Sequence, residues 1–426
     1  MKVLFIHQSF PAQYWRLVAW LRDHGHEVTF ITNPTGNAMQ SVRKVEYTFD
    51  SAARADIIEP AQEFEIAMRR AAKVASVAAE MATGGYRPDI ILGHHGWGEL
   101  LHIEDVWPDV PLLGYFEYYY RARGYEVGFD PEFTLPPGRE AVLRAKNALN
   151  LIALTNPGVG QTPTRFQLGT YPAEFRSKIR LIEEGVDLVA CAPDATAAGR
   201  PLDLGGMSLD EGQRARLAGQ VVAPGEKLVT FVSRTLEPAR GFHILMRALP
   251  ELLARRDVRV AIVGRDEDGY GPRPRGTTWR EYFLQEMRGR YDEARVHFLG
   301  LVDHPGYLRL LQRSDAHVYM TYPFVASWSL REALACGCAV VASDTASVHE
   351  FVIDGHNGLL TPFLDPRRLA ERVRDLLEND ELSGRLRRMA REHALAHLSL
   401  ARTLETYRAT IAQMTGQVLS QPGAAR

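Results

Sequence analysis

The sequence predicts an α/β protein built from two doubly wound parallel-sheet domains that face each other across a cleft. Three observations carry this expectation. Short, continuous apolar strands alternate with amphipathic helices along nearly the whole chain, as in a parallel sheet covered on both faces. The alternation lapses once, in the Gly-, Ala-, Pro- and Asp-rich stretch between Cys191 and Lys227, and then restarts. The 426 residues also exceed what one hydrophobic core usually serves.

Taken in order, "KVLFIH" (2–7) reads as a buried strand, followed by a helix "AQYWRLVAWLRDHG" that ends at Gly25. Strands are expected at "HEVTFIT" (26–32), "PDIILGH" (88–94), "PLLGYF" (111–116), "NLIALT" (150–155) and "KIRLIEEG" (178–185), with a helix at 65–81. The second half offers "KLVTFVS" (227–233), a helix from Gly241, "VRVAIVG" (258–264), "RVHFLG" (295–300), "AHVYMTY" (316–322) and "AVVAS" (339–343). Before the last of these, "SWSLRE" opens a helix with Ser327 or Ser329 as its N-cap. The final helices, 382–398 and 400–416, look long enough to pack back across the first domain. The tail "QVLSQPGAAR" reads as frayed. The expected division is 1–188 and 189–399, with the helix of about 400–426 returning to the N-terminal domain. In such open sheets ligands bind at the C-terminal edges of the strands.

Charge and composition narrow the function. The formal net charge is −2 with no long run of one sign, which excludes a general nucleic-acid binder. Three cysteines, Cys191, Cys336 and Cys338, make a disulfide framework unlikely to be the plan and fit a cytoplasmic location. The N-terminal apolar run is too short for a signal peptide, and no stretch reaches the ~20 residues that span a bilayer. Arg69, Arg70 and Lys73 on one helix allow peripheral contact with anionic lipid, although a solvated helix face is the simpler reading.

Familiar nucleotide signatures are absent: no G-x-G-x-x-G follows the first strand, and neither a P-loop nor a G-x-S-x-G elbow occurs. "GRDEDG" places Asp266 and Asp268 where acids could hold a divalent cation on a diphosphate, or simply tip a solvated loop. His94, His95 and His102 lack metal-ligand spacing. The positive signal is distributed. Arg234 follows a strand, and Arg240 stands just before a helix, where two guanidiniums suit a diphosphate. The "SWSLRE" helix start offers backbone N–H groups and a positive dipole end. Glu332 suits a ribose diol.

This order of motifs, "FVSRTLEPARGFHILMRALPELL", "VAIVG", "VHFLG", "DAHVYMTYPF" and "LREALACGCAVVASD…HEFVIDGHNGLL", resembles the GT-B glycosyltransferases of family 4. The resemblance covers most of 225–370 and recurs more loosely in the N-terminal half. It implies two Rossmann-like domains, the C-terminal one binding a nucleotide sugar and the N-terminal one the acceptor. Arg234 and Arg240 match the basic pair on the diphosphate, although the second is Arg where Lys is usual and the spacing is one residue longer. Leu301 and Val302 would place backbone groups near the base, and Glu332 matches the second acid of the E-x7-E motif. The first acid is replaced by Phe324, so the sugar contact differs, while Ser327, Trp328, Ser329 and Leu330 would still present amides. His95 matches the histidine beside the reacting sugar, with a buried structural role as the alternative. Gln13 stands where relatives have a Gly-Gly loop. Glu117, Tyr119 and Arg121 are acceptor-site candidates, or else part of an aromatic core. Gly185 and Asp187 match a hinge-side motif, with Glu184 where Asn is usual.

The resemblance further implies retention of anomeric configuration, with the leaving phosphate accepting the acceptor's proton. It also implies no cofactor beyond the nucleotide sugar and no obligatory metal. UDP-sugars are the preferred donors and GDP-sugars the next. The acceptor is a carbohydrate, a lipid-linked molecule or a small molecule. Alternatives are a non-catalytic sugar-nucleotide-binding protein and a sugar-nucleotide epimerase; a phosphorylase is weakened because no lysine suited to a pyridoxal Schiff base is evident.

Overall fold

The computed structural model describes residues 1–136, 138–156, 158–267, 269–271, 274 and 276–417. The chain forms two compact units. The N-terminal unit comprises Met1–Ala122, Pro136–Glu184 and the chain from Ala401; the C-terminal unit comprises Arg123–Leu135 and Gly185–Leu400.

The N-terminal unit is one parallel sheet of β1 (Lys2–Ile6), β2 (Glu27–Thr32), β3 (Val42–Glu46), β4 (Ile90–His94), β5 (Leu112–Tyr115), β6 (Val159–Thr162) and β7 (Ile179–Leu181), in the order β3-β2-β1-β4-β5-β6-β7. Its helices are α1 (Trp15–Asp23), α2 (Glu59–Thr83), α3 (Ile103–Val106), α4 (Glu140–Lys146), α5 (Ala148–Thr155) and α6 (Arg165–Thr170). Alternation along β1 divides the core. Val3 and Phe5 pack with Tyr14, Leu17 and Leu21 on one face, while Leu4 and Ile6 pack with Val74 and Ala78 of α2 on the other. Both faces are covered, which is why the strands read as unbroken apolar runs.

Two expectations fail here. "NLIALT" (150–155) is helical, as the end of α5, because a short apolar run fits a buried helix as well as a strand, and it continues the helix-forming "REAVLRAKNAL". The strand lies further on, at Val159–Thr162, where one apolar residue among four left no signal. Strand β3, "VRKVE", went unread because it is a half-exposed edge strand with alternating charge.

The C-terminal unit begins with a two-stranded antiparallel hairpin, β8 (Leu202–Asp203) and β9 (Val221–Val222), with α7 (Glu211–Arg216) between its strands. The stretch where the pattern lapses is thus ordered. Leu202, Leu204, Met207 and Leu217 pack on the main sheet at Leu228, Ala261 and Leu299. That sheet holds β10 (Lys227–Thr235), β11 (Val258–Arg265), β12 (Val296–Gly300), β13 (Ala316–Tyr319), β14 (Val340–Ser343) and β15 (Leu359–Thr361), all parallel, in the order β12-β11-β10-β13-β14-β15. Helices α8 (Phe242–Leu252), α9 (Trp279–Glu286), α10 (His304–Arg313), α11 (Trp328–Ala335), α12 (Pro366–Glu378) and α13 (Asp380–His397) cover it. The last helix, α14 (Leu400–Thr415), puts Tyr407 and Ile411 into the core of the N-terminal unit, with Tyr14 and Leu17. Helix α13 does not return with it. Arg391 donates to the carbonyls of Cys191, Ala335 and Leu188, which binds α13 into the C-terminal unit. Residues 418–426, including most of the tail expected to fray, lie outside the described residues.

The division differs from the expected 1–188 and 189–399 in two ways. The change of unit falls at Gly185, and a strap, Arg123–Leu135, docks on the C-terminal unit. Phe129 packs on Tyr322 and Phe363, and Phe133 on His243 and Trp279. Asp130 is buried. Its Oδ2 accepts from the Tyr322 hydroxyl at 3.0 Å, and its Oδ1 from the Glu132 amide at 2.9 Å. His243 Nε2 stands 3.0 Å from Oδ2, at ion-pair distance but without hydrogen-bond alignment. Burial pushes this carboxyl up, but His243, the Glu132 amide and Tyr322 together hold it below the usual aspartate range. Glu132 adds a two-pronged pair with Arg247, each contact 2.7 Å. Such a local cluster of acid and aromatics is invisible to periodicity, which is why the strap was assigned to the wrong unit.

Asp130→Ala leaves the Tyr322 hydroxyl buried without its acceptor, and should lower unfolding free energy by about 2–4 kcal/mol in a urea titration. A loss below the error of the titration would show that the strap is not held by this carboxylate. Stability should also fall with acid. Burial lowers His7 and His95 to about 3 and His297 and His317 to about 4. The unfolded chain takes up these protons near pH 6.5, before the folded one does, so stability drops as pH falls from about 6.5 towards 4, by up to ~1.4 kcal/mol per pH unit per histidine. Denaturation midpoints measured between pH 7 and 4 check this.

Candidate functional site

Each sheet reverses its strand order once, between β1 and β4 and between β10 and β13. Connections leave such a pair towards opposite faces, so the carboxyl ends stay uncovered. The functional candidates gather at these two places.

In the C-terminal unit, the turn after β10 is shaped by Gly241 (φ +72°), where a Cβ would fall 2.2 Å from that of Met320. Glycine therefore lets the start of α8 approach the end of β13. Arg240, just before it, is buried. Its Nη1 donates to Thr321 Oγ1 at 2.9 Å and to the Val325 carbonyl at 2.8 Å, tying this turn to the loop after β13. The guanidinium carbon lies 5.2 Å from the Tyr270 ring and 5.8 Å from the Phe324 ring, and these two rings are 4.9 Å apart. Phe324 is thus a buried packing partner of Arg240. Arg234, by contrast, is exposed, and makes no hydrogen bond or ion pair among the described residues. Glu237, which sequence reading passed over, is buried and accepts from Thr235 Oγ1 at 2.8 Å and from the Tyr270 amide at 2.7 Å. It sets Tyr270 over Arg240.

At the start of α11 the expected row of free amides is only partly present. The Ser327 N–H donates to the Tyr319 hydroxyl at 2.8 Å, and the Leu330 N–H to the Ser327 carbonyl at 3.3 Å. The Leu330 side chain is core. The Ser327 and Ser329 hydroxyls pair at 2.6 Å, and the Trp328 ring is partly exposed. Arg331 is buried against Phe351 and donates to the Ala326 carbonyl at 3.2 Å, stiffening the turn. Glu332 is buried, with Oε1 3.1 Å from His304 Nε2. Leu301 and Val302 lie where expected after β12. The Leu301 carbonyl, however, accepts from the Leu209 amide at 2.8 Å, and Val302 bridges to Ser208, so part of their backbone is already committed. Of the acid triplet, Asp266 stands 3.6 Å from Arg280, with its carboxyl raised by burial, and Asp268 lies outside the described residues.

In the N-terminal unit the cluster centres on His7 after β1, His94 at the end of β4, and Glu117 after β5. His94 stacks on Tyr115 at 5.3 Å, meets His7 edge-on at 5.5 Å, accepts from the Gly96 amide through Nδ1 at 2.9 Å, and has Nε2 3.5 Å from the Glu117 carboxylate. Here the expectation for His95 is corrected. Its ring lies between Gly114 and Phe116, fully enclosed, and burial lowers it to about 3. Adjacent residues on a strand end point to opposite sides, and His94 takes the side that meets His7 and Glu117. Tyr119 and Arg121 are tied elsewhere: the Tyr119 amide donates to Thr170 Oγ1, and Arg121 donates twice to the Thr170 carbonyl at 3.1 and 2.9 Å. Gln13 is half-buried beside Ala12, whose φ is +50°, and its Nε2 makes no hydrogen bond among the described residues. Sequence reading missed His7, although a histidine directly after the first strand of a parallel sheet is itself a signal.

Comparison with known proteins follows the same division. A model described as glycosyl transferase family 4 group matches residues 24–191, and one described as glycosyl transferases group 1 matches residues 226–379. The chain is 28% identical over 263 residues to spore coat protein SA of Bacillus subtilis, covering 58% of this chain and 60% of that one. It is 35% identical over 162 residues to phosphatidyl-myo-inositol mannosyltransferase of Mycolicibacterium smegmatis, covering 37% of each. The chain thus spans 60% or less of these curated relatives. Among solved structures, Anabaena HepE in complex with UDP-glucose aligns with a TM-score of 0.66 at 16% identity, over 97% of this chain and 100% of that one. Sucrose-phosphate synthase of Thermosynechococcus elongatus aligns at 0.68 and 18% identity, over 98% and 99%. These likenesses show the GT-B fold.

The packing role of His95 has a direct check. A Cβ on Gly114 would fall 1.9 Å from His95 Nε2, so Gly114→Ala should cost about 1–3 kcal/mol of stability. In a His95→Ala background the same change should cost much less; an equal cost in both would refute the contact.

Proposed function

The chain belongs to the family 4, group 1 glycosyl transferases, and on that premise we propose that it is a retaining glycosyltransferase. It moves a sugar from a nucleotide-diphosphate donor to an acceptor hydroxyl. The observation that carries the reading is the arginine pair at the end of β10. Arg234 is exposed and makes no hydrogen bond or ion pair among the described residues, and Arg240, six residues on, is fixed by Thr321 and Val325. A sugar–phosphate bond that breaks through an oxocarbenium-like state leaves its electron pair, and hence negative charge, on a phosphate oxygen. A pre-set guanidinium there lowers the barrier more than it strengthens ground-state binding. The leaving phosphate accepts the proton of the attacking hydroxyl. The Ser329 amide, at the positive end of α11, adds to the same field.

Glu332 is the proposed ribose ligand. Phe324 is committed to Arg240, so the sugar is held by other groups than the acid usual at that position. A UDP-sugar is the preferred donor, supported by the HepE structures solved with UDP and UDP-glucose, and a GDP-sugar the next. His94 and Glu117 are the proposed acceptor-side groups. Carbohydrate, lipid-linked and small-molecule acceptors all offer the hydroxyl that is needed. The mannosyltransferase relative, named for a phosphatidyl-inositol, supports the lipid-linked class. Membrane contact through α2 would rest mainly on Lys73, since Arg69 pairs with Glu65 and Arg70 donates to the Trp97 carbonyl. No helix among the described residues is long and apolar enough to cross a membrane. The three cysteines are buried and not in disulfides, which fits a cytoplasmic enzyme.

Purified protein should gain thermal stability with one class among UDP-, GDP-, ADP- and TDP-sugars, by about 2.7 kcal/mol at a hundred times Kd. Arg234→Ala should keep the fold and lower turnover ~10²–10³-fold. Turnover in EDTA should equal turnover with Mg²⁺. No shift with any nucleotide sugar would overturn the assignment.

A further inference from the structure

The proposed ribose acid, Glu332, also stands beside two groups that donor binding does not use. Among the described residues, Cys191 Sγ, a ring nitrogen of His304 and a carboxylate oxygen of Glu332 all lie within 4.8 Å of one another. The His304 Nε2 to Glu332 Oε1 distance is 3.1 Å. We propose that these three side chains form a site for a thiophilic divalent cation of the zinc type. When filled, it takes Glu332 away from the nucleotide.

The donor set is the argument. One thiolate, one imidazole and one carboxylate are the ligand types that zinc prefers, and three protein ligands leave a fourth position open to water. Bonds of about 2.0–2.3 Å at a tetrahedral centre need the three donor atoms roughly 3.3–3.6 Å apart. The imidazole–carboxylate pair, at 3.1 Å, is already near that spacing, and the thiol lies within 4.8 Å of both.

The three come from different elements, each held in place. Glu332 is in α11. His304 is the first residue of α10, whose turn is capped by Asp303 accepting from the Gly306 amide at 2.8 Å. Cys191 lies in the entry segment of the C-terminal unit; its amide donates to the Asp187 carbonyl at 2.8 Å, and its carbonyl accepts from Arg391 at 2.7 Å. Cys191 and Glu332 are buried while the His304 side chain is half exposed, so the imidazole is the side from which a cation enters. Binding replaces the thiol proton, which goes to solvent, with a metal–sulfur bond. Transfer does not need the metal; the metal opposes it.

The link to the donor rests on the assignment of Glu332 to the ribose, and the test separates the two claims. Metal-free protein titrated with Co²⁺ should bind one ion and develop the thiolate-to-cobalt charge-transfer band of the near ultraviolet. The band should be lost in Cys191→Ala, weakened in His304→Ala, and kept in Cys336→Ala, which removes the neighbouring thiol. No band, or a band unchanged in Cys191→Ala, would overturn the site. Adding UDP to the Co²⁺-loaded protein should then bleach the band; a band that persists while UDP raises the melting temperature would overturn the shared use of Glu332. The same UDP shift in metal-free protein reports on the donor reading alone.

Discussion

In a parallel sheet that winds outward from its middle, the two central strands send their connections to opposite faces. No helix can then lie across the ends of that pair, and the gap is the one part of the sheet edge left open. This constraint places most of the candidate site residues in the chain. In the N-terminal unit it sets His7, His94 and Glu117 side by side although they are far apart in sequence. In the C-terminal unit it brings the turn after β10 against the loop after β13, so that Arg240 can reach Thr321 and Val325.

Arg240 also shows how firmly one candidate side chain is tied into the structure. Its hydrogen bonds and its two aromatic neighbours spend most of its freedom before any ligand arrives. A buried guanidinium needs such partners, and the site uses them to fix the loop that carries Phe324 and the start of α11. Phe324 suits this arrangement, because its ring packs on the cation and on Tyr270. Glu237 supports the group from the other side by holding the Tyr270 amide.

The fold was largely legible because its signals are long. Buried parallel strands give apolar runs, and Gly25, Gly241 and the lapse after Cys191 punctuate them. The errors arose where the signal is short or three-dimensional. Four apolar residues at 151–154 satisfy a helix as readily as a strand. Motif order points to candidate residues, but not to their orientation. Nothing in "GHHGW" says which histidine turns beneath Gly114 and which turns towards His7. Likewise, a helix start promises free amides, yet the Tyr319 hydroxyl and the Ser327 carbonyl had claimed two of them. The Cys191, His304 and Glu332 group spans three elements and leaves no spacing rule in the chain at all.

The strap at Arg123–Leu135 bears on how proteins of this architecture can be recombined. The chain changes unit after Ala122, after Leu135, after Glu184 and after Leu400, so the intuitive single cut near residue 185 does not yield two self-sufficient halves. A C-terminal half grafted onto another N-terminal half would arrive without Phe129, Asp130, Glu132 and Phe133. It would present Tyr322, His243 and Arg247 to whatever sequence the new host carries there. Chimeras that exchange the distal half should therefore move the thirteen-residue insert together with it. Natural shuffling of the two halves would be expected to leave matched pairs at these contact positions.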